Sequence, residues 1–415
     1  MTGDGRRRVL IVPPGPEGGV GDAAVVQMLA SAVRDAGVSD VGVLTYAADE
    51  DWGLGALPRP PDFVVAPSWP FDRARWSTAT IQEAFREYDD VLVAGNDCID
   101  GGYSNEGSLA LLDCARFAYE HGARVSLVNC SFNQHPTAPV VAGLRALPPS
   151  IRIWLRDAIS ARSFRAATSR PAFLGAEIAF LVEPSAADDS VPLAWVRRHA
   201  AAGDHVVALV PNPMVGTADP LGAPQRDPGP YVAIIERLLR AAGRATRVLV
   251  IPNDARPGVG DLELAAAIAS ALSAAWRDAV LVSPRPLPAR VLTETLGHVA
   301  LLIGARFHAL VMALIAGTPV VALEYQDKMR GVLRECGLEA LWVPCERGLD
   351  VERVVARADA TLAQAAALRA GIARAVPAMR RRARAMIADV LAGSGAPFSS
   401  PLHEIASMVI EIPRS

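Results

Sequence analysis

The sequence predicts a parallel α/β protein built from two successive Rossmann-like units. Three observations carry that expectation. Short β-branched runs alternate with longer Ala- and Leu-rich stretches along the chain, the order that parallel strands with crossover helices require. The strand runs are nearly continuous in apolar residues, as suits strands covered by helices on both faces. The pattern also halts at a small, acidic, proline-bounded segment, 184–192, and then begins again.

In the first half, strands are expected over 9–12, 41–45, 63–66, 91–94, 125–129 and 151–155. Helices are expected over 22–35, 80–88, 106–121 and 157–168, and a last short strand pair over 173–183. In the second half, strands are expected over 206–210, 248–251, 279–282, 300–303 and 320–323. The helices between them fall at 231–242, 261–276, 289–296 and 307–316, and the Ala- and Arg-rich stretch 351–391 reads as helical. No repeat of 20–50 residues is evident, which disfavours a solenoid. Two such units joined by a hinge describe a GT-B-like fold, two Rossmann-like domains whose parallel sheets face an interdomain cleft. Ligands in these folds bind at the carboxyl ends of the strands. The expected division is an N-terminal domain over 1–187, a C-terminal domain over 188–385, and a tail over 386–415 that packs back on the first domain.

Composition bounds the function. The chain has 415 residues, 51% of them hydrophobic and 20% charged, enough apolar material for two cores. A formal net charge of −3 argues against a nucleic-acid partner. The five cysteines (Cys98, Cys114, Cys130, Cys336, Cys345) show no CxxC spacing, which disfavours a disulfide framework or structural zinc and favours a reducing, cytoplasmic compartment. The apolar run behind Arg6–Arg8 lasts four residues before Pro13, too short for a signal peptide. The richest apolar stretch, 299–323, carries Arg306, His308 and Pro319, so no integral membrane segment is expected.

Four places hold candidate chemistry. Gly18-Gly19-Val20-Gly21-Asp22 lies between a strand and a helix, where glycines admit a ligand close to the backbone and the helix start offers free amides. Its spacing is not that of a dinucleotide-binding loop, and Asp22 also reads as a plain helix cap. Arg156 leaves a strand just as a helix begins; a bidentate anion contact and a surface ion pair with Asp157 fit equally well. Arg306 and His308 mark the junction of an apolar strand and an apolar helix, where both are costly to bury without partners. Lys328, and Asn253 with Asp254, follow other strand ends and converge on the same rim. No GxSxG, Walker, HExxH or metal-spaced cluster occurs, and neither a metal nor a cofactor is expected.

The run Gly304-Ala305-Arg306-Phe307-His308-Ala309-Leu310, continuing through Ala316-Gly317-Thr318-Pro319-Val320 to Tyr325, Lys328 and Gly331, resembles the polysaccharide pyruvyl transferase family. The Gly18–Asp22 turn, the Arg156-Asp157…Ser160 element and the Asp-containing stretch after Asn253 add to the resemblance, which covers roughly residues 9–340. It implies phosphoenolpyruvate as donor, a sugar or glycan precursor as acceptor, and a pyruvyl ketal as product. Carried over by position, Arg156, Arg306, His308 and Lys328 hold the donor's phosphate and carboxylate. His308 is the candidate acid for the methylene carbon, with phosphate binding as the competing role. Asp22, Asp97 and Asp254 are candidate bases. Gly21, Asn96, Asp97 and Asn253 complete the expected substrate contacts.

Two departures stand out. A run of glycines is usual after the fourth strand, and this chain has Asn96-Asp97-Cys98-Ile99-Asp100-Gly101-Gly102-Tyr103. Glu177 stands where an aspartate is usual. The first change lies on the expected acceptor side and implies an acceptor unlike the common surface polysaccharides, or a changed reaction. Two other readings remain open, a nucleotide-sugar glycosyltransferase or epimerase of the same architecture, and a non-catalytic homologue that binds a glycan precursor.

Overall fold

The computed structural model describes residues 7–47, 50–57, 62–65, 82, 85–185, 190–216, 224–241, 245–325, 328–345 and 347–399. The chain divides into two compact units. The first holds the chain up to Glu17, then Asp22–Leu181, and the described chain from Met379. The second holds Gly18–Gly21 and Val182–Ala378.

The first unit is built on a parallel sheet in the order β3-β2-β1-β4-β5-β6-β7. Its strands are β1 (Arg8–Val12), β2 (Asp40–Thr45), β3 (Asp62–Val65), β4 (Asp90–Ala94), β5 (Arg124–Cys130), β6 (Arg152–Leu155) and β7 (Phe173–Leu174). Helices α1 (Val20–Asp35), α2 (Asn105–Glu120), α3 (Ala138–Ala146) and α4 (Ala158–Thr168) connect them. Val9–Val12 and Val91–Ala94 are fully or almost fully buried, because helices cover both faces of the sheet. Leu10, Val93, Leu127, Leu155 and Phe164 belong to one core cluster.

The second unit repeats the plan. Its sheet runs β10-β9-β8-β11-β12-β13 and is again parallel throughout. The strands are β8 (His205–Val210), β9 (Thr246–Val250), β10 (Val280–Val282), β11 (Leu301–Gly304), β12 (Val320–Glu324) and β13 (Trp342–Pro344). The helices are α5 (Val191–Ala201), α6 (Gly229–Arg240), α7 (Leu262–Ala271), α8 (Ala289–Gly297), α9 (Phe307–Ile315), α10 (Lys328–Glu335), α11 (Val351–Ala363) and α12 (Ala365–Ala392). In both sheets the strand order reverses beside the opening strand, between β1 and β4 and between β8 and β11. Ligands of doubly wound sheets bind at such reversals.

The protein is therefore α/β with two Rossmann-like, GT-B-like units, as the sequence predicts. Several local expectations need correction. The second strand of the pair expected over 173–183 is a 3-10 turn, Ile178–Leu181. Helix α5 begins inside the segment read as a linker; Pro192 stands in its first turn, where the missing N–H costs nothing. The helix expected over 261–276 stops at Ala271 and a 3-10 segment, Ala274–Ala279, follows. Strand β13 and helix α10 had no counterpart in the sequence reading. The single helical stretch expected over 351–391 breaks at Gln364 into α11 and α12. Of the helix expected over 80–88, residues 80, 81, 83 and 84 lie outside the described residues. Pro377 sits inside α12, next to the point where the chain passes from the second unit to the first. From there Arg380 and Arg382 donate to the carbonyls of Phe180 and Gly175 at 2.9 and 2.7 Å.

Candidate active site

The reversal in the second sheet gathers the Arg306 and His308 group. Arg306 ends the loop after β11 in extended backbone and is the cap of α9; His308 is the second residue of that helix. Asp261 is wholly buried and grips Arg306 along one edge, accepting from Nε at 3.0 Å and also from Nη2. Asp254 lies 3.6 Å from Nη1 and takes a bidentate grip from Arg256, whose Nη2 is 2.5 Å away. Two guanidiniums and two carboxylates thus form one set in which every charge faces its opposite. Burial works against the charge of Arg306, but Asp261, Tyr325 and Asp254 outweigh it, so its pKa sits above the usual value. Burial likewise works to raise Asp254, and Arg256 and Arg306 outweigh it, leaving its carboxyl below the usual range. For Asp261 burial dominates and the carboxyl is raised despite Arg306.

The glycine turn docks on this set. Gly19 makes an antiparallel bridge with Asp254, Val20 N donates to the Asn253 carbonyl at 3.0 Å, and Ala255 N donates to the Gly18 carbonyl at 2.9 Å. Gly18 has a φ of 139°, and a Cβ there would overlap the Arg256 side chain. At Gly21 a Cβ would fall on the His308 imidazole. Its φ is not left-handed, so an alanine would suit the helix backbone and disturb only that ring. Gly21→Ala is accordingly expected to displace His308 and lower kcat by about 10²-fold, with a stability change of about 1–3 kcal/mol. Turnover and thermal unfolding measured on the same preparation check this.

The other strand ends of the second unit are fixed by Asn212, which the sequence reading missed. Its Nδ2 donates to the Ala305 carbonyl at 3.1 Å and to the Tyr325 hydroxyl at 3.0 Å, tying the loops after β8, β11 and β12 together. Asn253 spends its backbone N–H on Asp261 at 2.9 Å, and its side-chain oxygen is buried with no partner among the described residues. Lys328 opens α10, half-buried, with Nζ 5.5 Å from the centre of the Tyr325 ring. The neighbouring Arg330, not singled out from sequence, pairs with fully buried Glu324 at 2.6 Å.

The reversal in the first sheet holds a second polar group. Asp22 lies in the first turn of α1, and its Oδ1 accepts from Asn96 Nδ2 at 2.8 Å. Asn96 follows β4, and Asn129 is near the end of β5; both are fully buried. Asp97 Oδ2 accepts from the Tyr103 hydroxyl at 3.0 Å. Arg156 does not form the surface ion pair with Asp157. Its partner is Glu177, at 2.9 Å in a pair with side chains only 2% and 1% exposed. Asp157 instead caps α4, accepting from Ser160 N at 2.8 Å and Ser160 Oγ at 2.7 Å. Among the described residues, no helix is long and apolar enough to cross a membrane.

The sequence matches the polysaccharide pyruvyl transferase family over residues 20–327, well over half of the chain. The chain belongs to that family. Solved structures similar in fold include S. aureus MnaA with UDP, at 13% identity and a TM-score of 0.62, covering 93% of this chain and 96% of the other. A putative UDP-N-acetylglucosamine 2-epimerase from Listeria monocytogenes matches at 14% identity and TM-score 0.60, covering 92% and 94%. Anabaena Alr3699/HepE in complex with UDP and glucose matches at 13% and 0.59, covering 93% of this chain and 100% of that one. At such identities these likenesses speak for the fold alone. Within the family match, Arg306 and His308 occupy the reversal of the second sheet and Asp22 and Asn96 that of the first.

Proposed function

We propose that this pyruvyl transferase family member moves the pyruvyl group of phosphoenolpyruvate onto two hydroxyls of a sugar, forming a pyruvyl ketal and releasing phosphate. The observation that carries the reading is the Arg306–His308 pair, pre-set by Asp261 at the sheet reversal inside the family match. The second unit then serves the donor. Phosphoenolpyruvate carries about three negative charges, and fixed cations stabilise both it and its departing phosphate. Arg306, Lys328 and the amides at the start of α9 supply that environment, with Asn253 as a further polar contact. Arg156, enclosed with Glu177, takes no donor contact in this scheme.

The atoms balance as follows. His308 delivers a proton to the methylene carbon, and one sugar hydroxyl oxygen bonds to the adjacent carbon. The bond to the phosphate oxygen breaks, and the second hydroxyl oxygen takes its place. Of the two hydroxyl protons, one is made up in the new methyl group and the other leaves with phosphate. Asp22 is the base in this scheme, which makes the first unit the acceptor side. Asp254 faces two guanidiniums that hold its carboxyl low and so weaken it as a base, whereas Asn96 meets Asp22 as a neutral amide. Five cysteines outside any disulfide suit a cytoplasmic setting.

The test is phosphate release from phosphoenolpyruvate with free, nucleotide-linked and lipid-linked sugars. Acceptor-dependent release supports the reading and names the acceptor class. Saturable binding of a nucleotide-diphosphate sugar, together with no binding of phosphoenolpyruvate, overturns it in favour of a glycosyltransferase or epimerase.

A further inference from the structure

The polar group of the first unit is a chain of amides with a fixed direction. Asn129 Oδ1 accepts from the backbone N–H of Ile178 at 2.8 Å, and a backbone N–H can only donate. The other end of that amide is therefore Nδ2, and it donates to Glu177 Oε1 at 3.0 Å, Oε2 at 3.2 Å and Asn96 Oδ1 at 3.0 Å. Asn96 is fixed in turn. Its oxygen faces Asn129, so its N–H group faces Asp22. Turning either amide over would set oxygen against carboxylate and N–H against N–H. Glu177 is held from its far side by Arg156 Nη1 at 2.9 Å and by Ala179 N at 3.1 Å.

The backbone has been bent to make this chain. Asn96 and Asn129 have φ values of 41° and 58°, and they are two of three non-glycine residues with positive φ among the described residues. The left-handed region is uncommon for any residue with a side chain, and strain of this kind persists where the surroundings over-determine it. Asn96 lies two residues past β4 and Asn129 is the next-to-last residue of the adjacent β5, and the β5–β6 pairing slips between Leu127 and Cys130, the stretch that contains Asn129. Such slips re-aim side chains.

We propose that Asn129 and Glu177 are positioning residues for the base, setting the direction of an amide relay that presents the Asn96 N–H group to Asp22; this rests on the pyruvyl-transfer reading. Asn129 and Glu177 act through Asn96 and touch neither donor nor acceptor. The relay also gives Glu177 a use. The pair with Arg156 anchors its carboxylate, and its length lets one carboxylate meet the guanidinium, the Ala179 amide and Asn129 together.

The experiment is a double-variant cycle on the full chain. Asn129→Ala alone is expected to lower kcat by about 10²-fold with KM for phosphoenolpyruvate unchanged. The same change in an Asp22→Asn background is expected to cost nothing further, because the relay ends on that carboxylate. An equal loss in both backgrounds, or a loss confined to KM, overturns the proposal and leaves Asn129 with a packing role alone. Side-chain amide exchange by NMR gives a readout independent of turnover. The Asn96 amide protons are expected to be protected in the wild type and to lose that protection in Asn129→Ala, which removes the donor that holds the Asn96 oxygen. Retained protection overturns the fixed direction. If the wild type releases no phosphate with any acceptor, the pyruvyl-transfer reading fails, and the exchange measurement still decides the relay.

Discussion

His308→Ala is expected to lower acceptor-dependent phosphate release from phosphoenolpyruvate by about 10²–10⁴-fold, with the fold retained. The imidazole stands in the first turn of α9 and is only half-buried, so its loss removes little packing. The same cannot be said of Arg306. Removing that guanidinium strands Asp261, which is 0% exposed and raised in pKa by burial even with its partner present. Arg306→Ala therefore mixes a loss of donor binding with a loss of stability, and its activity alone is ambiguous. His308→Ala separates chemistry from folding. Its kcat should fall while the unfolding midpoint stays near that of the wild type. His308→Gln, which keeps a hydrogen-bonding group and lacks a transferable proton near neutral pH, should fall about as far if the ring is the acid. If Gln restores turnover, the ring serves to bind phosphate. Wild-type turnover from both variants would remove His308 from the mechanism.

The architecture was legible in the sequence because each of its signals is local. A strand buried on both faces announces itself as a run such as Val9–Val12, and the crossover helix follows within a few residues. What escaped has local causes too. Pro192 reads as the end of a linker, although proline in a first helical turn is also a start signal. Helix α10 is only eight residues long, with a short apolar stripe of Met329, Val332 and Leu333, and β13 is three residues long. The apolar run Ile178–Leu181 is fully or mostly buried as any strand would be, and nothing in its side chains marks it as a 3-10 turn.

The site was legible in part, for the opposite reason. Arg306 and His308 stood out as charges in apolar sequence, a contrast visible within ten residues. Their partners did not. Asp261 lies 45 residues before Arg306 and read as an ordinary helix start. Asn129 lies 48 residues from Glu177 and 33 from Asn96, and an asparagine at a strand end carries no mark of its own. The one available signal was its residue type, since asparagine tolerates left-handed backbone better than most. Glu177 stands out in the sequence only as a departure from aspartate, and its meaning depends on a network that tertiary structure alone assembles.

Replacing Arg156 with methionine is expected to destabilise the first unit by about 3–5 kcal/mol, the cost of leaving a buried carboxylate without its cation. Exposed pairs contribute about 1 kcal/mol or less. Burial decides between the two figures, and at 2% and 1% side-chain exposure Arg156 and Glu177 belong to the first class. The desolvated charge is costly because the unfolded chain solvates it fully, so the penalty should appear as a lower denaturation midpoint with an unchanged slope. Pairing the change with Glu177→Met removes the stranded carboxylate and should recover much of the loss, since apolar replacement of a whole buried pair is often close to neutral. Turnover should not recover with stability. The double variant restores packing around Asn129 but removes the carboxylate its N–H group donates to, so only Asn96 and the Ile178 N–H still hold the amide and the relay is less firmly set. A double variant that is stable and still slow would show that a buried ion pair is kept here for the orientation it imposes. One that is stable and fully active would reduce Glu177 and Arg156 to an exchangeable piece of the core.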